Sequence, residues 1–246
     1  MNKRLAILLA SILLVICTRL AVVADTPAAA PAASDAHAKI PFHFTYLTGD
    51  EGAWSDFPKA PVLGSPVDED DLLITLSAQA TRTDAQKEEA LVDQHWSIKL
   101  IASVIASDFE TKYPATYAVL KKAAGDAGLI NEKLKKANQR LRPFAQHPTL
   151  VVPLFTADDY TYPSGHSSGS EVQARILGAL FPDRAGDLLK RARQVADSRV
   201  VAGVHYASDT EAGENLGDLI FAQLEANSQF KDDLAAAARK DGIPQK

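Results

Sequence analysis

No stretch of the chain alternates apolar and polar residues over the length of a strand, and no Asn-Gly or Asp-Gly turn joins two such runs. Apolar residues recur instead at helical spacing. Leu91, Ile98, Ile101, Val104 and Ile105 mark one face, widened by Trp96 and Leu100, in a segment free of Pro and Gly from Asp84 to Pro114. This predicts one long, largely buried helix. Further helices are predicted at Ala115–Ala124, Ile130–Leu141, His166–Leu180, Ala185–Val201 and Asp209–Ala226, with an amphipathic piece at Gln229–Arg239. The expected fold is all-α: a single-domain helical bundle with its core at about 84–228.

Upstream of that core the character differs. Between Ile40 and Asp71, Pro41, Pro58, Pro61 and Pro66 leave no room for a long helix. This reads as a loop-rich N-terminal arm lying over the core. Residues 25–38 are Ala, Pro, Ser and Thr with little else, which predicts a flexible linker ahead of a domain over 39–246. Residues 1–24 read as a signal peptide, with Lys3 and Arg4 before an apolar run from Leu5 to Thr18 and an Ala-Val-Val-Ala ending at Ala24. Arg19 interrupts that run short of a membrane span, and Ile16 before Cys17 does not suit lipid attachment. The expected location is periplasmic or secreted, with no stable membrane insertion after cleavage.

Cys17 is the only cysteine, so a cleaved chain has neither disulfides nor thiolate metal sites, and its stability comes from packing. Cleavage also removes three basic residues, Lys3, Arg4 and Arg19. Of 26 basic residues 23 then face 31 acidic ones, a balance of −8. Such a chain has no general attraction to nucleic acid. Any anion site must be a local concentration of positive groups.

Three segments supply such groups. Lys135 and Arg142 are seven residues apart at the end of a predicted helix, and Pro143 biases Arg142 out of helical conformation so that it can turn into a cleft. Basic residues also complement a helix C-terminus with no further role. Ser164 and Gly165 open a helix, where free backbone N–H groups make an anion site, and His166 sits in the first turn. An ordinary N-cap beside a surface histidine reads the same way. His205 and Asp209 are four apart, so the carboxylate can reach one ring nitrogen and leave the other as a nucleophile, while Gly203 lets the chain turn back toward Arg199. A His–Asp pair that only steadies a helix is the plainer alternative.

In this order the segments spell K-x6-R-P, P-S-G-H and S-R-x5-H-x3-D, carried by Lys135/Arg142/Pro143, Pro163–His166 and Ser198/Arg199/His205/Asp209. The pattern resembles the type 2 phosphatidic acid phosphatase superfamily, which includes class A non-specific acid phosphatases, lipid phosphatases, glucose-6-phosphatase and vanadium haloperoxidases. The resemblance implies the helical acid phosphatase/vanadium haloperoxidase type of bundle and a phosphatase of small-molecule phosphate esters. By it, His205 is the nucleophile, Asp209 its partner and His166 the acid and base. Lys135, Arg142, Ser164, Gly165 and Arg199 hold phosphate. No metal or other cofactor is implied, vanadate is expected to bind as a phosphate analogue, and a homodimer is possible.

Secreted class A enzymes match in organisation, with one departure. They typically carry Gly-Ser before Tyr-Pro-Ser-Gly-His, where this chain has Tyr160-Thr161, so their broad specificity is not carried over. The alternatives are a vanadium-dependent haloperoxidase, a lipid phosphate or pyrophosphate phosphatase, and a phosphate-binding protein without turnover. The acidic run Asp68-Glu69-Asp70-Asp71 and the pair Asp158-Asp159 read as solvated loops, not metal sites. Tyr46, Trp54 and Phe57 of the arm read as core packing in preference to the rim of a site.

Overall fold

A computed structural model of the chain describes residues 43–50 and 54–244. The segments read as a signal peptide and linker, 1–24 and 25–38, lie outside the described residues. Among the described residues ten α-helices follow: α1 (Pro66–Thr81), α2 (Asp84–Val92), α3 (Lys99–Ala102), α4 (Phe109–Lys112), α5 (Pro114–Asn138), α6 (Pro143–Gln146), α7 (Gly165–Leu180), α8 (Ala185–Val201), α9 (Ala207–Ala226) and α10 (Ser228–Lys240). No strand occurs among the described residues, as the missing alternation predicts. No helix among them is long and apolar enough to cross a membrane.

The central element is α7, flanked by α5, α8 and α9. Its Val172, Ile176 and Leu177 are fully buried beside Leu120 and Ile130 of α5, Leu188 and Val195 of α8, and Leu216 and Ile220 of α9. Two glycines let α9 come unusually close. A Cβ on Gly213 would sit 2.5 Å from the Ser164 carbonyl oxygen, and one on Gly217 would sit 2.5 Å from Glu171 Cβ. The contact brings the start of α9 against the start of α7, where the Ser164 N–H donates to the Asp209 carbonyl at 2.9 Å.

Three predicted boundaries move. The long helix expected from Asp84 stops at Val92 and resumes only as the short α3 and α4. Asp93 is why: its carboxylate is claimed by Arg191 and by the Ser198 hydroxyl, while the carbonyls of Asp93 and Gln94 turn to Arg199 instead of continuing the helix. Conversely, α5 runs unbroken through Gly125 and Gly128. Asp126, fully buried between them, accepts the backbone N–H groups of Thr45, Tyr46 and Leu47 at 2.7, 2.8 and 3.0 Å. Packing overrides the weak helix propensity of glycine. A helix also begins inside the supposed loop-rich arm, because Pro66 occupies a first-turn position that needs no N–H and Ser65 caps it.

The arm itself packs as expected. Tyr46 and Phe57 are buried, Tyr46 edge-on to Phe230 with ring centroids 5.3 Å apart, and Trp54 lies partly buried against the same core.

Candidate active site

The last turn of α5, the turn before α7 and the α8–α9 connection converge at one end of the bundle. Helix α5 ends at Asn138 because Gln139 adopts the left-handed conformation, φ 51°. Arg142 therefore reaches Lys135 through an extended link, φ −69° and ψ 153°, and not along a shared helical face. The proline after it enforces that conformation. Both cations are buried.

Arg142 donates through Nη1 to the Val204 carbonyl at 2.6 Å and to His205 Nε2 at 3.2 Å. Its Nε donates to the Asp159 carbonyl at 3.0 Å, and its Nη2 pairs with the Asp159 carboxylate. Lys135 pairs with the other oxygen of that carboxylate and donates to the Tyr160 carbonyl at 2.6 Å. Asp159 lies in an exposed loop, as read from the sequence, but its carboxylate bridges two of the three predicted phosphate-binding cations. Burial opposes its ionisation, but Lys135 and Arg142 hold its carboxyl down at about 2. Beside it lies a cleft of about 430 Å³ with Tyr160, Phe144 and Ala157 in its wall.

Ser164 caps α7, its hydroxyl oxygen accepting the Ser167 N–H at 3.3 Å. The first-turn N–H groups of Gly165 and His166 have no acceptor within the helix. Asn131 of α5 secures this turn by donating to the Pro163 carbonyl at 3.2 Å. His166 is hydrogen-bonded through Nε2 to the Gln94 carbonyl at 3.1 Å, which leaves Nδ1 for proton exchange. Burial, and then the Arg199 charge, push its pKa well below the ordinary 6.5.

Arg199 lies in the last turn of α8 over the Phe155 ring, 5.0 Å from its centroid. It donates from Nη1 to the carbonyls of Asp93 and Gln94 at 3.2 and 3.3 Å, while its buried Nε has no partner. An unpartnered buried guanidinium N–H is a donor that a bound anion would satisfy. Burial first, and then Arg142, lower its pKa to about 9.

After α8 the chain reverses at Gly203, φ 72°, and the N–H groups of Val204 and His205 return to the Arg199 carbonyl. His205 is 1% exposed. Arg142 donates to Nε2, so the ring proton belongs on Nδ1. Burial, followed by Arg142 and Lys135, depresses its pKa well below 6.5, so the ring is neutral with its lone pair on Nε2. Asp209 Oδ2 stands 3.5 Å from Nδ1, and the Thr161 hydroxyl lies between them.

All eight predicted site residues come together. Motif reading missed their supports, above all Arg140, which donates from Nη1 to Asp209 Oδ1 at 2.8 Å and from Nη2 to Asp68 Oδ1 and Asp71 Oδ2, each at 2.9 Å. Asp68 and Asp71 are therefore buried ion-pair partners, not the solvated loop expected of them. The only sequence signal for Arg140 was its place inside K-x6-R-P.

A sequence model of the PAP2 superfamily matches residues 115–224, which holds every motif above. The chain is 25% identical over 236 residues to a non-specific acid phosphatase of Providencia stuartii, covering 92% of this chain and 95% of that protein. Among solved structures, it resembles a transmembrane PAP2-type phosphatidylglycerolphosphate phosphatase of Bacillus subtilis, with TM-score 0.51 and 22% identity over 67% of this chain and 87% of the other. A bacterial vanadium-dependent iodoperoxidase aligns with TM-score 0.57 and 18% identity over 72% and 54% of the two chains. Helical fold, matched span and motif order agree in what the chain is similar to, the PAP2 superfamily.

Proposed function

We propose that the protein is an acid phosphatase that hydrolyses phosphate monoesters through a phosphohistidine intermediate, without a metal ion, in the periplasm or outside the cell. The observation that carries this reading is the neutral His205 ring, with Nε2 turned toward Arg142 inside a ring of three buried cations. Phosphate binding alone needs no such nucleophile. The name of the Providencia relative agrees with the activity, and the signal-like first 24 residues agree with the location.

Lys135, Arg142 and Arg199, with the N–H groups of Gly165 and His166, would hold the phosphoryl oxygens, whose charge grows in the transition state. Phosphate replaces the Asp159 carboxylate between Lys135 and Arg142. His205 Nε2 then forms a bond to phosphorus as the ester P–O bond breaks, and protonated His166 gives its Nδ1 proton to the departing alkoxide. Neutral His166 next takes a proton from water, whose oxygen attacks phosphorus and breaks the P–N bond. Phosphate leaves, with His205 neutral and His166 protonated as at the start. Vanadate fits the same cage as a phosphate analogue.

The test is to trap the intermediate with labelled p-nitrophenyl phosphate, quench in base and locate the acid-labile label. Label on His205 and a loss of at least about a thousandfold in kcat/KM in His205→Ala are expected. Hydrolysis within about tenfold of the parent in that variant removes the nucleophile. Vanadate-dependent halide oxidation without ester hydrolysis overturns the reading as a whole.

A further inference from the structure

Thr161 is fully buried and lies between the two residues that the motif treats as a direct pair. Its Oγ1 is 2.9 Å from His205 Nδ1 and 2.6 Å from Asp209 Oδ2, whereas the direct His205–Asp209 separation is 3.5 Å. The protons can be assigned from the surrounding donors. Arg142 donates to Nε2, so the His205 proton is on Nδ1; the Asp209 carboxylate only accepts, so the Thr161 hydroxyl proton points at Oδ2. The remaining lone pair of Oγ1 accepts the Nδ1 proton.

The rest of the environment holds this order in place. Asp209 Oδ2 also accepts the Tyr206 N–H at 2.8 Å, and Oδ1 is taken by Arg140. The Thr161 N–H donates to the Arg140 carbonyl at 2.9 Å, so backbone and side chain of Thr161 are tied to the same support.

On the phosphatase reading of this site, we infer that Thr161 is a positioning residue whose hydroxyl connects Asp209 to His205, sets the ring's orientation and tautomer, and passes on the carboxylate's stabilisation as charge builds on the ring. No proton leaves Nδ1 in the cycle. The hydroxyl polarises without being consumed.

The full-length protein tests this with Thr161→Val, which keeps shape and removes the hydroxyl, and Thr161→Ser, which keeps the hydroxyl. Thr161→Val is expected to lower kcat for p-nitrophenyl phosphate by about tenfold to a hundredfold with KM within about twofold, and Thr161→Ser to recover kcat to within about threefold of the parent. Nitrogen NMR of His205 is expected to show a protonated Nδ1 and bare Nε2 in the parent and a mixture of tautomers in Thr161→Val. A Thr161→Val protein with parental tautomer and kcat within twofold overturns the inference. Should Thr161→Val not fold, the parent decides: a nuclear Overhauser contact between the His205 Nδ1 proton and the Thr161 hydroxyl proton supports the connection, and its absence overturns it. The NMR result stands independently of turnover, so a parent protein that hydrolyses no phosphate ester defeats the phosphatase reading while leaving the Thr161 contact separately decided.

Discussion

Arg140 and Asp209 form a buried ion pair, Nη1 to Oδ1 at 2.8 Å, and the same guanidinium reaches Asp68 and Asp71 while lying 4.1 Å from the centroid of the Tyr206 ring. Burial works against ionisation at both ends. It raises the Asp209 carboxyl above its ordinary value, with Arg140 pulling the other way; for Arg140 the three carboxylates outweigh burial and raise its pKa. One cation therefore supports three acids that have no other route to neutralisation of comparable strength.

Removing it leaves buried charges without a partner. Arg140→Ala is expected to destabilise the fold by about 3–5 kcal/mol. Arg140→Lys should recover only part of this, because a point charge cannot serve three carboxylates and stack on Tyr206. Denaturant unfolding measures both, and an unchanged midpoint in Arg140→Ala would show that the network contributes nothing.

Asp159 occupies two of the cations a phosphate would use. A ligand that must displace it binds more weakly by the fraction of time the cage is closed. Asp159→Asn is expected to tighten competitive inhibition by inorganic phosphate roughly threefold to tenfold. Weaker inhibition would mean that Asp159 serves mainly to hold Lys135 and Arg142 in position.

Glycines at two positions carry opposite expectations. Within α5, a Cβ on Gly128 meets nothing within 4 Å, so Gly128→Ala should stabilise by about 0.5–1 kcal/mol through helix propensity. At Gly213 the same gain is available, but the Cβ would lie 2.5 Å from the Ser164 oxygen and 2.7 Å from Ser167 Cβ. Overpacking at about 1–3 kcal/mol exceeds propensity, so Gly213→Ala should lower both Tm and kcat. Equal Tm changes in the two variants would contradict the close helix contact.

The pH profile should follow His166. As an acid it must hold a proton, and burial with Arg199 keeps its pKa well below 6.5 in the free site. kcat/KM is therefore expected to fall with rising pH from a point below 6.5, and bound phosphate should move the corresponding limb of kcat upward by opposing the cations. An optimum above about pH 9 would remove His166 as the acid.

Glu171 gives a separate pH effect on stability. Burial raises its carboxyl from 4.5 to about 7, against the opposing charge of Arg175. The folded state then binds the proton more tightly than the unfolded one, so this contribution is full below about 4.5 and is lost as pH rises toward 7. Glu171→Gln should flatten the fall in Tm across that window, and an unaltered slope would place the titration elsewhere.

The helical class of the fold, the order of the three motifs and the eight residues that meet at the site were legible in the sequence. They depend on local regularities: helical periodicity, proline and serine at helix starts, and fixed spacings such as His205 to Asp209. The supports were not legible, because they depend on which distant segments share a volume. Asp68 and Asp71 have the composition of a solvated loop until burial obliges each to find a cation or donor, and those partners lie as far as 137 residues away, as with the Ser208 N–H that donates to Asp71. The break after Val92 and the persistence of α5 through Gly125 and Gly128 have the same origin. Spacing determined that His205 and Asp209 lie within reach of each other; only the tertiary packing that seats Thr161 at 2.9 Å and 2.6 Å decided that a hydroxyl stands between them, since a buried polar group is held where its hydrogen bonds are satisfied.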